Sequence, residues 1–171
     1  ARLLRQALTR VRGTLIMHSE RAIVRPVTSE NADPRAARRE QILETALRIG
    51  SAHKTAGYTL AILREYEADP RPKVFITVAG RSNALSGFTD GAVNAPVIAC
   101  PPASDSFGGA DVYSSLRMPS GIAPALVLEP VNAALLAAKI LGLVDPDVRE
   151  QVKASQSAAM EKIIGDDAGV Q

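Results

Sequence analysis

VFITVAGRSNALSG, residues 74–87, decides the fold. Its first half is a continuous apolar run rich in β-branched residues, without the in–out alternation of a strand that has one wet face. Such a run fits a parallel strand covered on both sides. Its second half changes character at Gly80: AGRSN is polar and glycine-containing, and ALSG can start a helix. A buried strand that runs into a polar loop and then a helix is half of a βαβ unit, so the question becomes whether the pattern repeats.

It does. Downstream, PVIAC at 96–100 and PALVLE at 124–129 read as two more strands of the same kind. NAALLAAKILGL at 132–143 reads as a helix apolar almost all round and so buried on several sides. Asp145, with Pro146 at the first helical position, opens a last helix to about Ile164, expected to pack on the body or on a neighbouring subunit. Upstream, Thr55 is placed to cap a helix over 56–68, with Leu60, Ile62, Leu63 and Tyr66 facing inward and Pro70 and Pro72 ending it. Strands alternating with helices predict a parallel sheet with helices on both faces, a three-layer α/β/α domain. No internal repeat is present.

The first 40 residues are of another composition. They hold nine Arg, no Lys and four acids, a net of +5, and leave the remainder at −3; every lysine lies at Lys54 or later. An Arg-rich, acid-poor start can mean a nucleic-acid arm or a transit peptide. No aromatic residue precedes Tyr58, so the arm has no stacking platform, and no nucleic-acid partner is expected. ARLLRQALTRVR can form a short basic helix, GTLIMHS a strand and turn, and RAARREQILETAL a helix whose last residues, through Leu47 to Ile49, can instead be strand. No apolar run approaches the roughly 18 residues of a membrane span. Cys100 is the only cysteine, within an apolar strand; it reads as a core residue, and a reducing, cytoplasmic setting is expected. His18, His53 and Cys100 are too few nitrogen and sulfur donors for a metal site, so no metal is expected.

In open parallel sheets ligands bind beyond the carboxyl ends of the strands. Three segments fall there: SAHKT at 51–55, AGRSNALSG at 79–87 and SDSFGGAD at 104–111. His53 is a lone histidine, more often structural than catalytic, but it sits at a strand-to-helix junction beside Ser51, Lys54 and Thr55. Helix-start amides and the Lys54 ammonium would favour an anion there. AGRSN is either a polar turn with a helix cap or a ligand loop. SDSFGGAD is either an ordinary surface loop or a cover that closes on a ligand. None is a Walker loop, a zinc cluster or a nucleophile elbow.

Taken in order, SAHKT, AGRSNALSG, IACPPASDSFGGADVYSSLRMPSGI and NAALLAAKILGL resemble the class II phosphoribosylaminoimidazole carboxylases, over about residues 43–165. The class I relatives, the N5-carboxyaminoimidazole ribonucleotide mutases, usually carry SAHRTP and AGGAAHLPG; here Lys54 replaces the arginine, and the second motif lacks its histidine. The resemblance implies a flavodoxin-like sheet and an enzyme that joins carbon dioxide to an aminoimidazole ribonucleotide without a cofactor. It also implies a homo-oligomer, an octamer or tetramer. It implies His53 as the proton-transferring base with Lys54 beside it, and Arg81, Ser82 and Asn83 around the new carboxylate. Ser51, Ala52 and Gly80 would position the ribonucleotide, and Ser104, Asp105 and Ser106 would lie in the covering loop.

The family opens with a strand ending in a GSxSD-like phosphate loop. LIMHSERAIV at 15–24 keeps LIM and Ser19 but has His18 where the glycine belongs. His18 and Ser19 are the candidate phosphate donors. Residues 1–41 thus form an atypical segment before a core at 42–171. Divergence, an added leader and a shifted reading frame each account for it.

Overall fold

The computed structural model describes residues 14–18 and 46–169; the sequence-predicted helices within 1–12 and 35–45, and Ser19, lie outside them. Five parallel strands form one sheet: β1 (Thr14–His18), β2 (Ala46–Ile49), β3 (Val74–Val78), β4 (Val97–Ala99) and β5 (Ala125–Leu126). Their order is β2-β1-β3-β4-β5. This is the flavodoxin-like order, with its switch point between β1 and β3. The open choice over Leu47 to Ile49 falls to strand, and Thr14–His18 supplies β1, the neighbour of the central β3.

The helices are α1 (Ala56–Glu67), α2 (Ala84–Asp90), α3 (Pro130–Leu141) and α4 (Pro146–Ala168). A ten-residue 3-10 stretch, Ser106–Ser115, lies between β4 and β5. None of the described helices is long and apolar enough to cross a membrane.

The central strands explain the three layers. Val74, Ile76, Val78, Ile98 and Cys100 point to one face, where Ala133, Ala134, Ala137, Ala138 and Leu141 of α3 cover them. Phe75, Ala79 and Val97 point to the other, against Ile62, Leu63 and Leu85 of α1 and α2. The period of two along each strand therefore feeds two cores, and no polar alternation remains in the sequence. Four alanines bring α3 close to the sheet. Burial raises the Cys100 thiol to about 11, with the Glu129 charge adding to it, so it behaves as a small apolar core residue.

Several local expectations change. PALVLE yields only two strand residues, because β5 is the sheet's edge and Pro130 already starts α3; Leu128 is exposed. In α1, Thr59 is buried with Ile62 and Leu63, while Leu60 and Tyr66 are half-buried. The α3 helix buries one face within the chain rather than several, leaving Val131 exposed, as is Leu143 just past its end. Asp145 caps α4, accepting from the Asp147 and Val148 N–H groups at 2.9 and 3.2 Å. Past its first turns α4 leaves the body, and Met160, Ile163 and Ile164 are exposed. At the α3–α4 corner Gly142 is required: a Cβ there would meet Ala138 O at 3.1 Å and Arg149 Cα at 3.2 Å. Arg149 Nε donates to the Gly142 carbonyl at 2.8 Å and closes the corner.

Candidate active site

Register brings the strand ends level. His18 stands opposite Ile49 on β2 and Val78 on β3, and Thr77 stands opposite Ala99 on β4. The loops after β2, β3 and β4 therefore leave the sheet at one height, beside the end of β1. These are the three segments the sequence singles out.

The loop after β2 ties itself together. The Ser51 carbonyl accepts the Thr55 N–H at 2.9 Å, and the Thr55 hydroxyl accepts the Ser51 N–H at 2.9 Å. The Lys54 N–H donates to the Ser51 hydroxyl at 3.2 Å. Thr55 does occupy the N-cap position of α1, but its hydroxyl makes no cap bond, because it is turned back to Ser51. Ala52 is half-buried against the core of α1 and α2. The result is a closed turn that presents His53 and Lys54, both exposed, at its crest.

The loop after β3 is held from elsewhere. Arg81 has a left-handed backbone, φ 57°, a conformation that costs a bulky L-residue about 1–2 kcal/mol. Its N–H donates to Asp111 Oδ2 at 3.0 Å, and its carbonyl accepts from the Ser114 hydroxyl at 2.8 Å. The Asn83 N–H donates to the same hydroxyl at 3.0 Å. The Asn83 side chain is buried and committed. Its Oδ1 accepts from the Ser86 N–H and hydroxyl at 3.3 and 2.9 Å, which caps α2. Its Nδ2 donates to the Ser115 hydroxyl at 2.7 Å. Ser86 Oγ in turn lies 2.7 Å from Thr77 Oγ1 inside β3. A buried polar chain thus runs from the strand, through the loop, into the 3-10 stretch. Arg81 and Ser82 remain exposed. A Cβ on Gly80 would come within 3.4 Å of Pro102 and 3.9 Å of Asp111 Oδ2, so the loops after β3 and β4 are in contact there.

The two exposed crests meet at one point: His53 Nε2 lies 3.3 Å from the Ser82 carbonyl oxygen. Lys54 and Arg81, the chain neighbours of His53 and Ser82, are exposed as well. Asp105 is exposed and Ser104 half-buried. Phe107, Gly108 and Gly109 follow with left-handed φ of 54°, 59° and 80°. Phe107 itself is 88% exposed. The sequence reading missed Asp111, Ser114 and Ser115. The only local signal was an acid and two hydroxyls following the glycines in GGADVYSS.

A model of the AIR carboxylase family matches residues 32–162. The phosphoribosylaminoimidazole carboxylase of Treponema denticola is 64% identical over 126 residues, 74% of this chain and 79% of that protein. That of Archaeoglobus fulgidus is 60% identical over 110 residues, 64% of this chain and 60% of that protein. A mouse bifunctional phosphoribosylaminoimidazole carboxylase/phosphoribosylaminoimidazole succinocarboxamide synthetase is 48% identical over 109 residues, and this chain spans 26% of its length. The crystal structure of Treponema denticola PurE superposes with a TM-score of 0.77 at 50% identity, covering 92% of this chain and 98% of that one.

Proposed function

The chain belongs to the AIR carboxylase family, and from that premise we propose that it joins carbon dioxide to carbon 4 of 5-aminoimidazole ribonucleotide, a step of purine biosynthesis. The ring amine pushes electron density to carbon 4, which attacks carbon dioxide. The new carbon–carbon bond leaves carbon 4 tetrahedral and still bearing its hydrogen. His53 takes that proton, the carbon–hydrogen pair returns to the ring, and aromaticity is restored. The imidazole type suits this step because it exchanges protons near neutral pH. Lys54 and Arg81 hold the nascent carboxylate. Asn83 acts by fixing the loop rather than by touching the substrate. His18, the last residue of β1, and Ser19 are the phosphate donors, while Ser51, Ala52 and Gly80 shape the floor and residues 104–106 the cover.

The observation that supports this most is the contact of the two crests: a solvent-facing histidine from the loop after β2, 3.3 Å from the Ser82 carbonyl after β3, each with an exposed cationic residue next to it in the chain. The direct use of carbon dioxide rests on AGRSN, which has no histidine where the mutases carry one. Formation of the 4-carboxy product, followed by absorbance with aminoimidazole ribonucleotide and bicarbonate and no ATP, tests the reading. Conversion of the N5-carboxy compound alone would make it a mutase. Absence of both activities, with ribonucleotide still bound, would make it a ligand-binding relative.

We also infer a cytoplasmic homo-oligomer, an octamer or tetramer. Leu143 and Val144 after α3, and Met160, Ile163 and Ile164 on α4, leave apolar surface that a lone chain does not cover. A monodisperse monomer in light scattering would refute it.

A further inference from the structure

Asp111 and Ser114 touch nothing at the crest where His53 stands, yet every bond they make in the loop after β3 bears on it. Arg81 is one of two described non-glycine residues with a left-handed backbone. Nothing about an arginine favours that conformation, so the surroundings must impose it. They do so at both of its peptide groups. Asp111 Oδ2 takes the Arg81 N–H at 3.0 Å. The Ser114 hydroxyl shares its proton between the Arg81 and Asp111 carbonyls, both at 2.8 Å, and accepts the Asn83 N–H at 3.0 Å. The Ser82 peptide is thereby pinned on either side, and its carbonyl direction is fixed. That oxygen accepts the Ala84 N–H at 2.9 Å and lies 3.3 Å from His53 Nε2.

A carbonyl oxygen can only accept. The hydrogen of a neutral His53 must therefore sit on Nε2, and the lone pair must sit on Nδ1. We propose that Asp111 and Ser114 are positioning residues for the base: by holding Arg81 left-handed they aim the Ser82 carbonyl at His53 and fix the tautomer in which Nδ1 takes the carbon-4 proton. This rests on the reading of His53 as that base. When the proton reaches Nδ1 the ring becomes a cation, and the Nε2–H bond to Ser82 becomes charge-assisted and stronger. The bond is thus worth more after proton transfer has begun than in the resting complex. Its loss should fall on kcat and spare KM.

The chain has only two histidines, His18 and His53, so a 15N-histidine-labelled full-length protein gives two imidazole patterns in a long-range nitrogen–proton correlation spectrum, and His53→Asn assigns them. Spectra are followed upward in pH until the imidazole shifts no longer change. The native protein should show His53 protonated on Nε2. In Asp111→Ala the pattern should move toward a tautomer mixture, with kcat down about 10- to 100-fold, by analogy with removal of the outer partner that orients a metal-ligating imidazole, and KM changed less than about twofold. Asp111→Asn keeps an acceptor for the Arg81 N–H and should restore both readouts. Ser114→Ala removes a single hydroxyl, so it carries the same test if Asp111→Ala does not fold. A native His53 protonated on Nδ1, or a folded Asp111→Ala and Ser114→Ala with unchanged tautomer and kcat, overturns the proposal. If instead the tautomer responds as stated in a protein that never forms the 4-carboxy product, the positioning stands and the carboxylase reading falls.

Discussion

The loops after β2 and β3 do the same job by opposite means. Residues 51–55 close on themselves: the bonds described across the turn join Ser51 to Lys54 and Thr55. Residues 80–83 are shaped by Asp111, Ser114 and Ser115, about thirty positions later. The first loop carries its geometry in its own sequence. The second borrows it, at the cost of a strained arginine and a buried amide, and gains a fixed carbonyl beside the histidine that the first presents. A self-contained turn tolerates distant change, whereas a borrowed one transmits it.

The largest expected effect removes the chemistry and leaves both loops standing. His53→Asn keeps polarity and size but cannot shuttle a proton, so carboxylation should fall about 10²–10⁴-fold. His53 is exposed, so its melting temperature should match that of the native protein. Near-normal turnover in a folded variant would remove His53 from the mechanism.

Next comes the borrowed loop. Asn83→Ala deletes the cap of α2 and strands the buried Ser86 N–H and Ser115 hydroxyl. Each orphaned group costs about 1–3 kcal/mol, so a loss of roughly 2–4 kcal/mol is expected. At about 2–4 °C per kcal/mol for a chain of this size, the melting temperature should drop by roughly 5–15 °C. Ser51→Ala perturbs the self-contained loop and should cost less, about 0.5–1.5 kcal/mol, because its partners face solvent and water can replace the lost hydroxyl. Calorimetry of the two variants side by side checks the ranking; an equal or larger drop for Ser51→Ala would erase the distinction between the loops.

The same contrast explains what the sequence disclosed. VFITV at 74–78 is legible as a covered strand because both of its faces are apolar, and no tertiary information is needed to see it. SAHKT is legible as a polar turn at a strand-to-helix junction for the same local reason. Thr55 was placed correctly at the helix start, but its bonding was not, since a hydroxyl there can turn either to the helix or back to Ser51, and spacing does not choose. PALVLE looked like β3, yet edge position and Pro130 shorten it to two residues. Asn83 read as a ligand group because exposed and buried amides look alike in sequence; only the arrival of Ser115 from the 3-10 stretch buries it. Asp111 closes the SDSFGGAD segment, yet its task does not show there: its target is a backbone N–H, which leaves no mark on residue choice at Arg81.

The smallest effect sharpens the comparison with a third loop, Asp69 to Lys73, which is also self-contained but lies between α1 and β3, outside the site. Arg71 pairs with Asp69 through side chain and backbone, and Lys73 donates to the Asp69 carbonyl. The Arg71 side-chain and backbone hydrogen bonds hold the Asp69 carboxyl down at about 2, from an ordinary 3.8. A carboxyl whose folded value is depressed stabilises the fold fully above its unfolded value and loses that contribution as pH falls through the folded value. The contribution of Asp69 should therefore be complete above about pH 4, decline between about 4 and 2, and vanish below. Asp69→Asn should flatten the melting-temperature profile by a small amount in that window alone. Because the pair is solvent-facing, added salt should shrink the difference further. Carboxylation measured at neutral pH should not change, since the bonds described for this turn join Asp69, Arg71 and Lys73 to one another. A change in turnover in Asp69→Asn would mean that even a self-contained turn is coupled to the site, and the division between local and borrowed loops would have to be redrawn.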